Sequence, residues 1–65
     1  MRAWCKRHER ELERLTGMRV FTKRGTINVN LLRRLHSDKE LLRKVAGPRW
    51  RKIWQKVHFA LNVRK

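Results

Sequence analysis

The chain has 65 residues and carries 19 Lys plus Arg against 5 Asp plus Glu, a net charge of +14. That length allows one domain, and a domain so short buries only about 60% of its unfolded surface, so it needs a compact helical core or a partner. Apolar runs of two or three residues exclude a spanning helix, and the single cysteine, Cys5, excludes an internal disulfide and fits a reducing compartment.

The N-terminus lacks the apolar stretch of a signal peptide, and Glu9, Glu11 and Glu13 are too many acids for a mitochondrial presequence. The expected location is intracellular, in cytoplasm or an organellar matrix. Residues 2–16 predict a helix. At helical spacing Trp4, Cys5, His8, Leu12 and Leu15 share one stripe, with Arg2, Lys6, Glu9, Arg10 and Glu13 opposite. Gly17 supplies a stop. Cys5 and His8 form a Cys-x-x-His pair, which is half of a zinc site or of a nucleophilic dyad. Both lie on the apolar stripe, and His36 and His58 have no partner at ligand spacing in the sequence. The reading is a buried thiol and a core histidine, with no catalytic residue, metal or cofactor expected.

Residues 18–30 change character. Met18 and Val20, then Ile27 and Val29, alternate with polar residues around Lys23-Arg24-Gly25-Thr26. This predicts a short β-hairpin, with Gly25 at positive φ and Lys23 and Arg24 exposed at its tip. Asn30 is the expected cap of the following helical region, residues 31–46, whose apolar positions are Leu31, Leu32, Leu35, Leu41, Leu42 and Val45. Ser37-Asp38-Lys39-Glu40 has the form of a capping box, with Ser37 as N-cap, which favours two helices at 31–36 and 38–46 over one continuous helix. Gly47-Pro48 marks a firm boundary, since Gly suits the end of one helix and Pro the first turn of the next. Residues 48–62 form the clearest helix: Trp50, Ile53, Trp54, Val57, Ala60 and Leu61 fill an arc of about 120°. Trp50 and Trp54 are the expected core anchors.

The fold expected is mainly α, a single three- to four-helix domain over residues 1–65 with one short hairpin, in the order α-β-β-α-α. Its charge points to a polyanionic partner. Residues 14–37 hold six basic residues and no acid, and residues 41–65 hold eight and no acid. Arg outnumbers Lys by 12 to 7, and its planar fork fits phosphate and stacks on bases. A binding surface is therefore expected from Lys23 and Arg24 in the hairpin, Arg33 and Arg34 in the next helix, and Arg64 and Lys65 in the tail. The last helix contributes Arg49, Arg51, Lys52, Gln55 and Lys56. Phe59 falls at the centre of that polar face, where an aromatic ring serves to stack a base.

These features predict a small basic RNA-binding protein, an architectural or assembly component of a ribonucleoprotein such as a ribosome, acting by phosphate neutralisation. Structured RNA is the favoured partner and duplex DNA the second, alongside neighbouring proteins of a larger particle, with no membrane. One alternative is a helix-turn-helix-like DNA-binding regulator of phage or mobile-element type. There the helix after Gly47 would enter the major groove with Arg49, Arg51, Lys52 and Gln55. A second alternative is a basic inhibitor that docks on an acidic groove.

Overall fold

The computed structural model describes residues 1–63. Its elements are α1 (Arg2–Arg7), α2 (Glu9–Thr16), α3 (Val29–Ser37), α4 (Lys39–Ala46), a 3-10 turn (Gly47–Arg49) and α5 (Trp50–Val63). The first two are one helix bent at His8. The hydrogen-bond ladder runs through the bend, from the His8 N–H to the Trp4 carbonyl at 3.1 Å and from the Leu12 N–H to the His8 carbonyl at 2.9 Å. Gly17 ends α2 in the left-handed region at φ 70°, and its N–H reaches the Glu13 carbonyl.

The β-hairpin expected over residues 18–30 is absent: the described residues form no strand, and the domain is all-helical. In its place is a compact loop with one isolated antiparallel bridge between Phe21 and Ile27. The Thr22 N–H reaches the Thr26 carbonyl and the Asn28 N–H the Val20 carbonyl, both at 2.8 Å, but the pairing extends no further. The Val20 N–H donates to Glu13 Oε2 at 3.2 Å. On the other side the chain turns helical at Val29, two residues before the expected start, because the Asn28 side chain caps the Asn30 N–H at 3.0 Å. The loop keeps the expected tip. The Gly25 N–H bonds the Thr22 carbonyl at 2.9 Å and Gly25 takes φ 83°, a conformation that favours glycine.

The break between α3 and α4 also lies one residue from the sequence reading. Ser37 is the last residue of α3, and its hydroxyl donates back to the Arg33 carbonyl at 3.0 Å. Asp38 is the cap: Oδ1 accepts from the Leu41 N–H at 3.1 Å, while Oδ2 accepts from Arg34 Nε at 3.3 Å. Glu40, assigned by the sequence to the capping box, pairs with Arg43. Gly47 closes α4 at φ 66° and Pro48 opens the 3-10 turn, as the Gly-Pro boundary predicts.

The core is built from Trp4, Cys5 and Leu12 of the first helix, Val20 of the loop, Leu31, Leu32 and Leu35 of α3, Leu41 and Leu42 of α4, and Ile53 and Val57 of α5. Among the described residues no polar or charged residue is buried with them. α5 packs across both α3 and α4. Its tryptophans are only partly buried and flank this core rather than anchor it. Trp4 is the tryptophan at the centre, 8% exposed. Trp54 instead donates its indole N–H to the His36 carbonyl at 2.9 Å, which satisfies one of the carbonyls that the end of α3 leaves without a helical partner. Among the described residues, no helix is long and apolar enough to cross a membrane.

The Asp38 cap makes a pH-dependent contribution. Its carboxyl is held below the ordinary 3.8, first by the hydrogen bond from the Leu41 backbone and then by Arg34. The folded state therefore takes up this proton less readily than the unfolded one. The stabilisation is complete above pH 3.8 and is lost as pH falls through the folded value. Asp38→Asn keeps a cap acceptor but removes the titration, so its melting temperature falls less steeply on acidification than that of the parent. Asp38→Ala loses the cap and melts lower at neutral pH. Thermal melts followed by circular dichroism at a series of pH values measure both effects.

Candidate nucleic-acid interface

The outer face of α5 is fixed by its inner one. With Ile53 and Val57 turned into the core, Lys52, Gln55, Lys56 and Phe59 face outward, and all four are exposed. Phe59 is 67% exposed and is the one large apolar side chain so exposed among the described residues. Its ring therefore lies open within a cationic face.

Beside this face runs a groove of roughly 370 Å³ between α1, the end of α4 and the start of α5. Trp4, Val45, Ala46 and Ile53 supply an apolar floor. Arg7, Arg49, Lys52 and Lys56 stand around it, all exposed, and no carboxylate lines it. Ala3, on the exposed side of α1, borders both this groove and a second concavity shaped by Arg2, Lys6, Glu9, Phe21 and Gly25. There the Arg2 guanidinium donates to the Gly25 carbonyl at 2.7 Å. Arg2 and Lys6 also lie 5.6 and 5.7 Å from the centre of the Phe21 ring. These contacts tie the loop bearing Lys23 and Arg24 to α1.

The acids explain why this side of the molecule is so positive. Among the described residues, Glu9 pairs with Lys6, Glu11 approaches His8 at 4.0 Å, Glu13 holds the Val20 N–H, Asp38 holds Arg34 and Glu40 holds Arg43. The carboxylates are thus spent on α2, the loop and the start of α4. Exposed pairs of this kind stabilise weakly, but they leave Arg49, Arg51, Lys52 and Lys56 without a carboxylate partner among the described residues.

The residues singled out from the sequence separate into groups. Arg49, Lys52, Gln55, Lys56 and Phe59 fall on or beside the α5 face and its groove. Arg51 is exposed on the flank of α5, its guanidinium 5.4 Å from the Trp50 ring centre, with Arg43 on the same ring at 5.3 Å. Lys23 and Arg24 are exposed at the loop tip. Arg34 does not join this surface. It is engaged by Asp38 and lines a different depression with Leu15, Glu40 and Lys44. Arg33 is exposed on the outer side of α3. Arg64 and Lys65 lie outside the described residues. Sequence reasoning missed Arg7, together with Arg2 and Lys6; the signal was present, since residues 1–8 hold three cations and no acid.

Cys5 is fully buried, and burial pushes its thiol up to about 11, against a small opposing effect of the nearby chain terminus. A thiol in that state is protonated at neutral pH, and it is the thiolate that acts as nucleophile. The histidines that lack partners at ligand spacing in the sequence do meet in space. His36 Nε2 and His58 Nδ1 are hydrogen-bonded at 2.8 Å, Asn62 reaches the other His58 nitrogen at 2.9 Å, and both rings stack with Trp54. Lys39 Nζ lies 5.4 Å from the Trp54 ring centre. Nitrogens facing each other at that distance share a proton rather than a metal. Among the described residues no group of three or more His, Cys, Asp or Glu side chains is placed to hold an ion.

No protein-family model matches the chain, and neither a curated protein nor a solved structure matches it.

Proposed function

We propose that this protein binds structured RNA as an architectural or assembly component of a ribonucleoprotein such as a ribosome, and that it is a binding protein rather than an enzyme. A reducing intracellular compartment is part of this reading. The observation that carries it is the acid-free face of α5, with its adjoining groove, and the exposed Phe59 set among Lys52, Gln55 and Lys56. Cations unpaired within the chain neutralise phosphates and release counterions. An exposed ring within such a face offers a platform for an unstacked base, which RNA loops and bulges present and a continuous duplex does not.

A second reading keeps support from one observation. α4, the Gly47–Arg49 turn and α5 follow one another as in a helix-turn-helix, with Arg49 exposed at the end of the turn and Arg51, Lys52 and Gln55 exposed over the first turns of α5. A recognition helix reads bases chiefly from those turns. Phe59, more than two turns into α5, would then be peripheral.

The two readings part at Phe59. A stacked base contributes about 1–3 kcal/mol. On the RNA reading, Phe59→Ala therefore weakens binding to a structured RNA by roughly tenfold or more while the circular dichroism spectrum stays unchanged. Arg51→Ala and Lys52→Ala each weaken it less, and by similar amounts on any sequence. Titrations of the three variants on structured RNA and on duplex DNA measure this. Normal binding by Phe59→Ala, with loss of preference for one duplex sequence in Arg51→Ala, would replace the RNA reading with the DNA one.

A further inference from the structure

The α5 face accounts for Phe59 but not for the groove beside it. Its floor is apolar and includes Trp4, a core residue only 8% exposed. Around that floor stand Arg7, Arg49, Lys52 and Lys56, with no carboxylate to neutralise them. Four cations around a small apolar floor form an unusual surface for a structural crevice: solvated charge is ordinarily mixed in sign, and apolar floors are ordinarily closed by packing. The pairing of the two fits a ligand that is flat and apolar at one end and anionic at the other.

Size selects among such ligands. At roughly 370 Å³ the groove lies at the lower end of the range for small-molecule sites, about 300–1,000 Å³. An acidic amphipathic helix would need an apolar trough long enough for anchors seven residues apart, about 10 Å along its axis. One nucleotide needs room for a single base, with its phosphates left at the rim.

We propose that the groove between α1 and α5 receives one unpaired nucleotide of the bound RNA, with its base on the floor formed by Trp4, Val45 and Ile53 and its flanking phosphates on Arg7, Arg49, Lys52 and Lys56. The proposal rests on the RNA-binding reading and deepens it. The interface then has two base-accepting places, an open one at Phe59 and an enclosed one at the groove. It also gives α1 a part in recognition, since Arg7 is the one groove cation outside the α4–α5 region.

Ala3 provides the test, because it borders the groove while its own side chain is exposed. Ala3→Trp plugs the groove from outside without altering the core, and Ala3→Leu is a smaller plug should the tryptophan perturb the circular dichroism spectrum. Both are placed in the Phe59→Ala background, where the open platform is gone. The probes are a short oligoadenylate and an abasic ribose-phosphate oligomer of equal length, which carry the same phosphates. The expected result is that Phe59→Ala prefers the base-bearing oligomer by about tenfold, the size of one stacking contact. Adding Ala3→Trp abolishes that preference and leaves abasic binding unchanged. A preference that survives the plug, or a plug that weakens both oligomers equally, overturns the groove assignment and leaves RNA binding standing. Failure of the parent protein to bind either oligomer or a structured RNA at low salt overturns both. Binding of an acidic amphipathic peptide that Ala3→Trp blocks, with no base preference in the RNA probes, assigns the groove to a protein partner instead.

Discussion

Leu35→Ala is expected to bring the protein to the edge of unfolding at room temperature. Leu35 is fully buried among Leu31, Leu32, Leu42 and Val57 in the core cluster. Truncating such a leucine removes its transfer free energy and leaves a cavity, at a cost of about 2–5 kcal/mol. A chain of this length has about 3–10 kcal/mol in total, so the loss is a large share of everything that holds it folded. A drop in melting temperature of at least about 10 °C follows. Arg33→Ala, exposed on the outer side of the same helix, is the control and shifts it little. Trp54→Ala loses the indole bond to the His36 carbonyl and the stack with two histidines, but that ring is only partly buried, so its cost falls below that of Leu35→Ala. Melts of the three variants check the order. A Leu35→Ala protein that melts with the parent, beside a Trp54→Ala protein that is unfolded, would put the core on the wrong side of α5.

The parts of this fold that were legible in the sequence are those where one local signal had no competitor. Gly17 and Gly47-Pro48 end and begin helices because left-handed backbone and a fixed proline φ leave few other uses for them. The stripe through Trp4, Cys5 and Leu12 and the face carrying Phe59 follow from helical spacing alone. The loop misled because its alternation of apolar and polar residues is a strand pattern, yet the pairing it implies stops at one bridge, where Glu13 holds the Val20 N–H and the Asn28 side chain starts the next helix by capping the Asn30 N–H. Nothing within residues 18–30 announces the Glu13 contact, which comes from the preceding helix. The capping assignment moved by one residue for a similar reason: Ser37 and Asp38 are both good caps, and the aspartate also gains Arg34. Trp50 and Trp54 seemed to be core by size. Their indoles instead sit at the border of the core, where the Trp54 N–H finds the His36 carbonyl and both rings face cations.

The site was legible as charge but not as shape. The acid-free run after residue 41 pointed to α5, and helical spacing put Phe59 at the centre of its outer face. The groove needed the approach of α1 to α5, which no local pattern encodes, and Arg7 reads in the sequence as a partner for Glu11, four residues on, whereas Glu11 approaches His8. Arg34 shows the converse error, a cation counted toward the surface that an aspartate four residues away occupies. The His36–His58 contact joins residues 22 apart in sequence, beyond any spacing rule.

Binding to structured RNA across a range of salt concentrations tests the central claim most directly. Arg7, Arg49, Lys52 and Lys56 around the groove, with Arg51 exposed on α5 and Lys23 and Arg24 exposed on the loop, are enough to neutralise about six phosphates, so log K should fall against log salt with a slope of about −4 to −5. Between roughly 50 and 200 mM salt that slope weakens binding by about 10²- to 10³-fold. Lys52→Gln/Lys56→Gln, which removes two of these charges without touching the core, should reduce the magnitude of the slope by about 1.5. An affinity that stays flat over that range, or a slope that the double substitution leaves unchanged, would contradict the assignment of this face to nucleic acid.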